Sequence, residues 1–530
     1  MPRQLKLIQR PDEETAATEA GRYGPDGATD TRRGGLRANL RALTTLAVAL
    51  ASTVVITLAG CASSAGIAPH AQRLAPEVVG LGAGHVAEAA PALAADWWRG
   101  FDDPALSVLV ERALAGNPSL QVAQSRLERA QAAASGIQAA GGLQVNGSLD
   151  LTRQHYTANG AIPPPLAGSI RSSGTLQAGA SWEFDFFGRN RAALDAALGA
   201  EQAAQTDVQA ARVLLAAHVA RTYVNLARLV EQREVARRAL RQREERLALI
   251  RQRVQGGLDT TVELRQGEGA LPETRQQIEL LNEQITLAQH ALAALTVQPP
   301  SALDTLAPAL RTVRTVPLPA AVPADLLGRR ADVNAARWRV EAATHDMKSA
   351  KAQFYPNVNL TAFVGLSSIG LDQLLRSGSQ QYGVGPAIRL PIFDSGRLRA
   401  NLRGKSADVD AAIASYNGAV LDAVHDVADQ LTSLRSIERQ QLEQGQAQSA
   451  AEAAFDLSTQ RYKAGLSTYL TVLTAEASVL NQRRLATDLK ARALDGQVAL
   501  IRALGGGYAP DAEPALQTAQ TTQAVPVVRR

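Results

Sequence analysis

The sequence repeats itself at long range, and this constrains the fold more than any other feature. Gly188-Arg189 opens a run to Gln255 with no proline and one glycine, Gly199, near its start. Gly256-Gly257-Leu258-Asp259-Thr260 interrupts it, and a second helical run departs. Displaced by 208 residues, Gly396-Arg397 opens a similar run that Ala464-Gly465-Leu466-Ser467-Thr468 interrupts. Upstream, Ser119-Leu120-Gln121-Val122-Ala123 aligns with Asp332-Val333-Asn334-Ala335-Ala336 at an offset of 213. The two offsets differ by five residues, which must fall between these segments, where loops absorb insertions. A copied unit of this length predicts two halves built on one plan.

The plan can be followed along the chain. Pro104 to Ala140 reads as helix, with Asn117-Pro118-Ser119-Leu120 inside it. Leu143, Val145, Leu149 and Leu151 then alternate with polar residues or glycine, as do Leu176, Ala178, Ala180, Trp182 and Phe184. A period of two predicts strands between unlike environments. Val358, Leu360, Ala362 and Val364, then Tyr382, Val384, Ile388 and Leu390, repeat the pattern in the second half. Each chain thus offers four strands of the length that a tilted membrane strand needs. From Val208 through Leu215, Val219, Leu226, Leu229, Ala236, Leu247 and Ile250 to Val254, spacings of three and four make a heptad-like seam that Arg and Thr interrupt.

Lengths add a constraint. The long run would span about 100 Å as helix. The runs on either side are shorter, so two of them stacked end to end match one long helix, and both halves give this result. A hollow helical cylinder follows. Four strands cannot close a membrane barrel, for which about eight is the minimum. Three chains would supply twelve strands and leave no edge in lipid.

At 530 residues a single compact core is not expected. Net charge is +5 over 55 Lys/Arg and 50 Asp/Glu, with no basic patch interleaved with aromatics, so nucleic acid is not an expected partner. The seven histidines show no metal spacing, and no nucleophile elbow or P-loop occurs, so no enzyme activity is expected. Runs such as Gln242-Arg243-Glu244-Glu245-Arg246 are expected to form a solvated helix face.

The amino-terminal region has Arg32, Arg33, Arg37 and Arg41 before an apolar run, Leu43 to Leu58. This is the form of a secretory signal, too short and polar for a spanning helix. Leu58-Ala59-Gly60-Cys61 resembles a bacterial lipobox. That resemblance implies a mature chain beginning at Cys61, the single cysteine, with N-acyl and S-diacylglycerol lipid on it and no other cofactor.

Five further segments carry a broader resemblance. They are Trp182-Glu183-Phe184-Asp185-Phe186-Phe187-Gly188-Arg189, Pro323 to Val333, Ala350-Lys351-Ala352-Gln353-Phe354-Tyr355-Pro356, Pro391-Ile392-Phe393-Asp394-Ser395-Gly396-Arg397 and Leu504-Gly505-Gly506-Gly507-Tyr508. With the repeat and the lipobox, the chain resembles the outer-membrane efflux, TolC-like family in its lipoprotein branch. The resemblance implies an α+β membrane protein and a homotrimer, with a twelve-stranded outer-membrane β-barrel continuous with a periplasmic α-helical barrel. It implies a passive gated exit duct in the outer membrane, with a periplasmic adaptor and an inner-membrane pump as partners. A structural coiled-coil lipoprotein and a protein-secretion duct are the alternatives.

The expected organisation is a lipoprotein-type signal at 1–60, an acylated tether at 61–95, a first repeat at 96–300, a linker at 301–322, a second repeat at 323–508 and a disordered tail at 509–530. Residues 62–95, rich in Ala, Gly and Pro without strong periodicity, are expected to form a linker or tether. Gly256, Gly257, Leu258, Gly465 and Leu466 are expected at helix–helix turns, which in the family form the tip that meets the adaptor. Acidic residues after the second turn form a constriction in relatives. Here Thr471 and Thr474 stand in those places, with Glu476 and Glu263 as the neighbouring carboxylates.

Overall fold

The computed structural model describes residues 63–75, 78, 80, 93–315 and 326–508. The signal region, Cys61 and the carboxy-terminal tail lie outside the described residues. The helices that organise the fold are α1 (Pro104–Gly116), α2 (Pro118–Ala140), α3 (Arg189–Gln255), α4 (Thr261–Leu295), α5 (Ala331–Ala352), α6 (Arg397–Lys463) and α7 (Tyr469–Ala503). The strands are β1 (Gln144–His155), β2 (Ile170–Phe184), β3 (Asn357–Ile369) and β4 (Gln380–Arg389).

The two long helices, α3 and α6, are both 67 residues and begin alike. Asp185 accepts from the Arg191 amide, and Asp394 accepts from the amides of Gly396 and Leu398. Each carboxylate thus occupies the donors that a helix start leaves free. The run expected from Pro104 to Ala140 is two helices. Pro118 biases Asn117 to an extended conformation, and the Asn117 side chain accepts from the Ser119 amide to cap α2. The stacked pair is therefore α2 and α4, of 23 and 35 residues, beside α3. In the second half it is α5 and α7, of 22 and 35 residues, beside α6.

The expected seam of α3 is buried at Val208, Leu215, Val219, Leu226, Leu229, Ala236, Leu247 and Ile250. At mid-height α1 turns aside. Trp97, Trp98 and Phe101 pack with Leu106 and Val110 against Val219, Tyr223 and Leu226. Tyr223 donates its hydroxyl hydrogen to Asp103 at 2.8 Å, and Asp103 also caps α1. The chain closes under this layer through Gly505 and Gly507. A Cβ on either would lie 1.9 Å from the Arg329 carbonyl oxygen or 2.3 Å from that of Ala94.

The four strands form one antiparallel sheet in the order β1-β2-β3-β4. Register puts like with like. Val145 opposes Ala180, which opposes Ala362, which opposes Val384. Trp182 opposes Leu360, and Ala178 opposes Val364, which opposes Tyr382. The other face pairs Asn146 with Gly179, Ser148 with Gln177, Thr175 with Ser367 and Gly365 with Gln381. Val145, Leu149, Val364, Tyr382, Val384 and Ile388 are all more than half exposed on the apolar face. Phe363 is the aromatic on the polar face; its ring fills the space above Gly383, where a Cβ would lie 2.8 Å away. At the foot of the sheet Trp182, Phe184 and Phe186 form a chain of ring contacts, and Phe187 stacks on Tyr355 at 4.9 Å.

Residues 63–75, part of the expected linker or tether, lie against α6. Their composition gives no periodicity because the contacts that hold them are made to backbone groups.

Candidate functional site

The free ends of α3/α4 and α6/α7 form the candidate site. Both long helices end in the same motif. The Leu258 amide donates to the Arg253 carbonyl at 2.8 Å and that of Gly257 to Val254 at 3.1 Å. The Leu466 amide donates to Arg461 at 2.8 Å and that of Gly465 to Tyr462 at 3.0 Å. This bond pattern requires a left-handed residue after the helix, and Gly257 and Gly465 supply it at φ 69° and 76°. The residue after that glycine usually folds back onto the helix. Here Leu258 and Leu466 instead remain 68% and 69% exposed, with Val262 and Leu470 exposed beside them. The turns thus present four apolar side chains on glycine hinges.

Above the turns, two polar ties join the first pair of helices to the second. In the lower tie, Asp259 receives both Arg253 nitrogens, Nε at 3.0 Å and Nη2 at 3.2 Å. Its Oδ2 also accepts the Tyr462 hydroxyl hydrogen. The Arg253 guanidinium lies 4.8 Å from the centroid of the Tyr462 ring, and Tyr462 contacts the Tyr469 ring at 5.7 Å. Burial, followed by the hydrogen bond to Asp259, pushes the Tyr462 phenol far above its ordinary range, so it stays a donor. The hydrogen bond to Asp259 likewise raises Arg253.

In the upper tie, Glu476 of α7 sits between two arginines of α3. Arg246 Nη2 reaches Oε1 at 2.6 Å and Arg243 Nε reaches Oε2 at 3.2 Å. Arg243 also donates to Thr274 Oγ1 of α4 at 2.7 Å, and Arg246 lies over the Phe455 ring of α6 at 5.1 Å. Four helices therefore meet at one buried carboxylate, whose side chain is 2% exposed. Between the ties Ile250, Tyr462, Tyr469 and Val472 form a small apolar cluster.

The structure gives each of the two carboxylates named with the constriction its own partners. Glu476, expected with the constriction, is enclosed by Arg243 and Arg246 because an ionised group this deep needs paired charge. Glu263 turns back on its own helix start, where its carboxylate accepts from the Thr260 amide at 3.0 Å and from the Thr260 hydroxyl in a capping box. The hydrogen bond from that hydroxyl holds the Glu263 carboxyl below its ordinary value. Thr471 and Thr474 are exposed on one face of α7, and Thr474 donates back to the Leu470 carbonyl at 3.0 Å. The expected solvated face Gln242–Arg246 is corrected, since Arg246 is buried in the upper tie. Arg253 and Tyr462 carry no expected role in the sequence, and Asp259 and Arg246 are expected only in a turn and on a solvated face. An available signal was Arg243, a charge in an apolar seam, which demands a partner.

Comparison with known proteins agrees with this architecture. The family model described as outer membrane efflux protein matches residues 109–297 and 322–506. The putative multidrug resistance outer membrane protein MdtQ of Escherichia coli is 34% identical over 420 residues, covering 78% of this chain and 88% of the relative. The fusaric acid resistance protein FusA of Burkholderia cepacia is 38% identical over 371 residues, covering 69% and 70%. The crystal structure of the outer membrane protein VceC of Vibrio cholerae superposes with a TM-score of 0.73 at 37% identity, covering 78% of this chain and 98% of that one. The chain belongs to the outer membrane efflux protein family and is an outer-membrane efflux channel.

Proposed function

We propose that three copies of this chain form the exit duct of a tripartite efflux system, passing small molecules such as drugs. The observation that carries it is the two-faced sheet with β1 and β4 at its open edges. An apolar outer face and a polar inner face suit a barrel wall in lipid, and open edges there are not tolerated. Pairing β4 of one copy with β1 of the next closes twelve strands. The outer-membrane location and a Cys61 lipid anchor fit together. Small-molecule cargo is supported by the resistance functions in the names of MdtQ and FusA. Energy is taken to come from an inner-membrane pump, reached through a periplasmic adaptor that docks on the tip.

Within that duct, Leu258 and Leu466 supply the docking surface, and Thr471 and Thr474 line the constriction without charge. The two ties hold the tip closed, because widening it requires the second helix pair to move away from the first. The test is export by a Leu258→Asp/Leu466→Asp variant. Trimers in the outer membrane with drug resistance lost are the expected result. Full resistance with that variant would remove the tip from the mechanism.

A further inference from the structure

Where the sheet passes into the long helices, a cavity of about 720 Å³ opens on the polar face. Glu183, Asn357, Asn359 and Arg389 line it from the sheet. Register keeps them on that face, with Glu183 opposite Asn359 and Asn357 opposite Arg389. Arg189 and Arg397, the first residues of α3 and α6, line it from the helices. The two carboxylates at its edge are already engaged. Glu183 holds Arg189 Nη2 at 2.6 Å, and Asp185 accepts from the Arg191 amide at 2.8 Å. The 208-residue displacement carries Arg189 onto Arg397, but Pro391-Ile392-Phe393 before it offers no counterpart of Glu183. Asp394 is taken up by the amides of Gly396 and Leu398. Among the described residues, neither the Arg389 nor the Arg397 guanidinium has an ion pair or a hydrogen bond. A cation in the first turn of a helix opposes the helix dipole, so fold stability does not account for Arg397. Phe187 and Tyr355 line the same cavity; their rings stack at 4.9 Å with 10° between the planes, and each residue is nearly half exposed.

We propose that this cavity is a transit site for aromatic carboxylates. Each free guanidinium presents a planar fork of donors that matches a carboxylate, and such bonds are charge-assisted. The Phe187–Tyr355 pair offers a flat surface on which a further ring can stack. The volume is that of a small-molecule site. Arg389 and Arg397 are exposed, so binding stays weak enough for release, as conduction requires. The proposal rests on the duct reading, in which the polar face is the inner one. Three copies then set three such sites around the passage, at the step from helices to barrel.

The test titrates para-fluorobenzoate into the detergent-solubilised full-length protein and follows fluorine NMR. Uncharged para-fluorobenzamide reports partition of the ring into detergent. The wild type is expected to bind the benzoate and not the benzamide. Arg389→Gln/Arg397→Gln is expected to weaken binding at least about tenfold, with the melting temperature unchanged. Tyr355→Leu is expected to weaken it as well, and acetate, which has no ring, is expected to compete poorly. Equal affinity in wild type and the double arginine variant overturns the site, and acetate competing as well as benzoate overturns the aromatic preference. In planar bilayers under a KCl gradient, para-fluorobenzoate is expected to lower the wild-type current, and the double variant is expected to shift the reversal potential towards cations. Binding that leaves the current of an open pore untouched overturns the transit role. Benzoate binding by protein that forms no pore overturns the duct and leaves the anion site standing.

Discussion

Tyr462 and Asp259 lie in different repeats, 203 residues apart in sequence, and the hydroxyl of one bonds to the carboxylate of the other at the free end of the helices. Arg253 holds both oxygens of that carboxylate and lies over the Tyr462 ring. Tyr462→Phe removes one hydrogen bond to a charged group, a loss of about 1.5–3 kcal/mol. Asp259→Ala also strips Arg253 of its partner and is expected to cost more. Single-channel recordings in planar bilayers should show open probability rising from wild type to Tyr462→Phe to Asp259→Ala. If neither substitution changes gating, the lower tie is a packing contact and nothing more.

The upper tie gives a second outcome with a sharper contrast. Glu476→Gln leaves Arg243 and Arg246 facing each other in a buried site without an anion. Breaking one side of such a group is expected to cost about 3–5 kcal/mol, whereas replacing all three residues by apolar side chains of similar volume is often neutral. Thermal melting followed by circular dichroism should therefore place the triple variant Arg243→Met/Arg246→Met/Glu476→Leu above Glu476→Gln. The reverse order would mean that the arginines are satisfied by something other than Glu476.

An acid-sensitive joint lies where the second repeat begins. Arg330, 6% exposed, bonds to Asp332 at 2.6 Å, to Asp426 at 3.3 Å and to the Ala503 carbonyl at 3.2 Å. Burial opposes ionisation of Asp332, but the hydrogen bond and charge of Arg330 outweigh it and hold the carboxyl below its ordinary value. A lowered folded value means that ionised Asp332 adds stability above about pH 4, and that this is lost as pH falls through the folded value. Asp332 is half-exposed, so solvent reduces the effect. The melting-temperature gap between wild type and Asp332→Asn should narrow as pH drops from 6 to below about 4. A gap that stays constant would exclude this carboxylate from the acid response.

The parts that were legible in the sequence share one property, a local pattern with a known period. Gly257 and Gly465 mark turns because left-handed backbone favours glycine, and the alternation around Trp182 and Val384 marks faces because a strand has period two. The break at Asn117 was written just as plainly in Asn117-Pro118, yet a helical periodicity running through it concealed the cap. The ties were not legible. Arg243 and Glu476 are 233 residues apart, and their meeting depends on how the two repeats stack, which no window of sequence contains. The contact of residues 63–75 with α6 was hidden for a different reason. Asp410 and Asn417 hold backbone amides and a carbonyl, so residues 63–75 needed no distinctive side chains to bind.

The face assignment of the sheet predicts opposite responses to one substitution. Val364 opposes Ala178 and Tyr382 on the apolar face and is 61% exposed. Ser148 opposes Gln177 on the polar face. If the first face meets lipid, Val364→Arg places a charge in hydrocarbon at a cost of about 2–4 kcal/mol near the bilayer midplane. Three copies multiply that cost in an assembled barrel. Ser148→Arg places the same charge towards water, where it is expected to cost little. Folding into lipid vesicles, read as the fraction of heat-modifiable trimer across a urea series, should show Val364→Arg shifted to lower urea and Ser148→Arg close to wild type. Equal shifts for the two would mean that the apolar face packs against protein, and the barrel wall would have to be drawn the other way round.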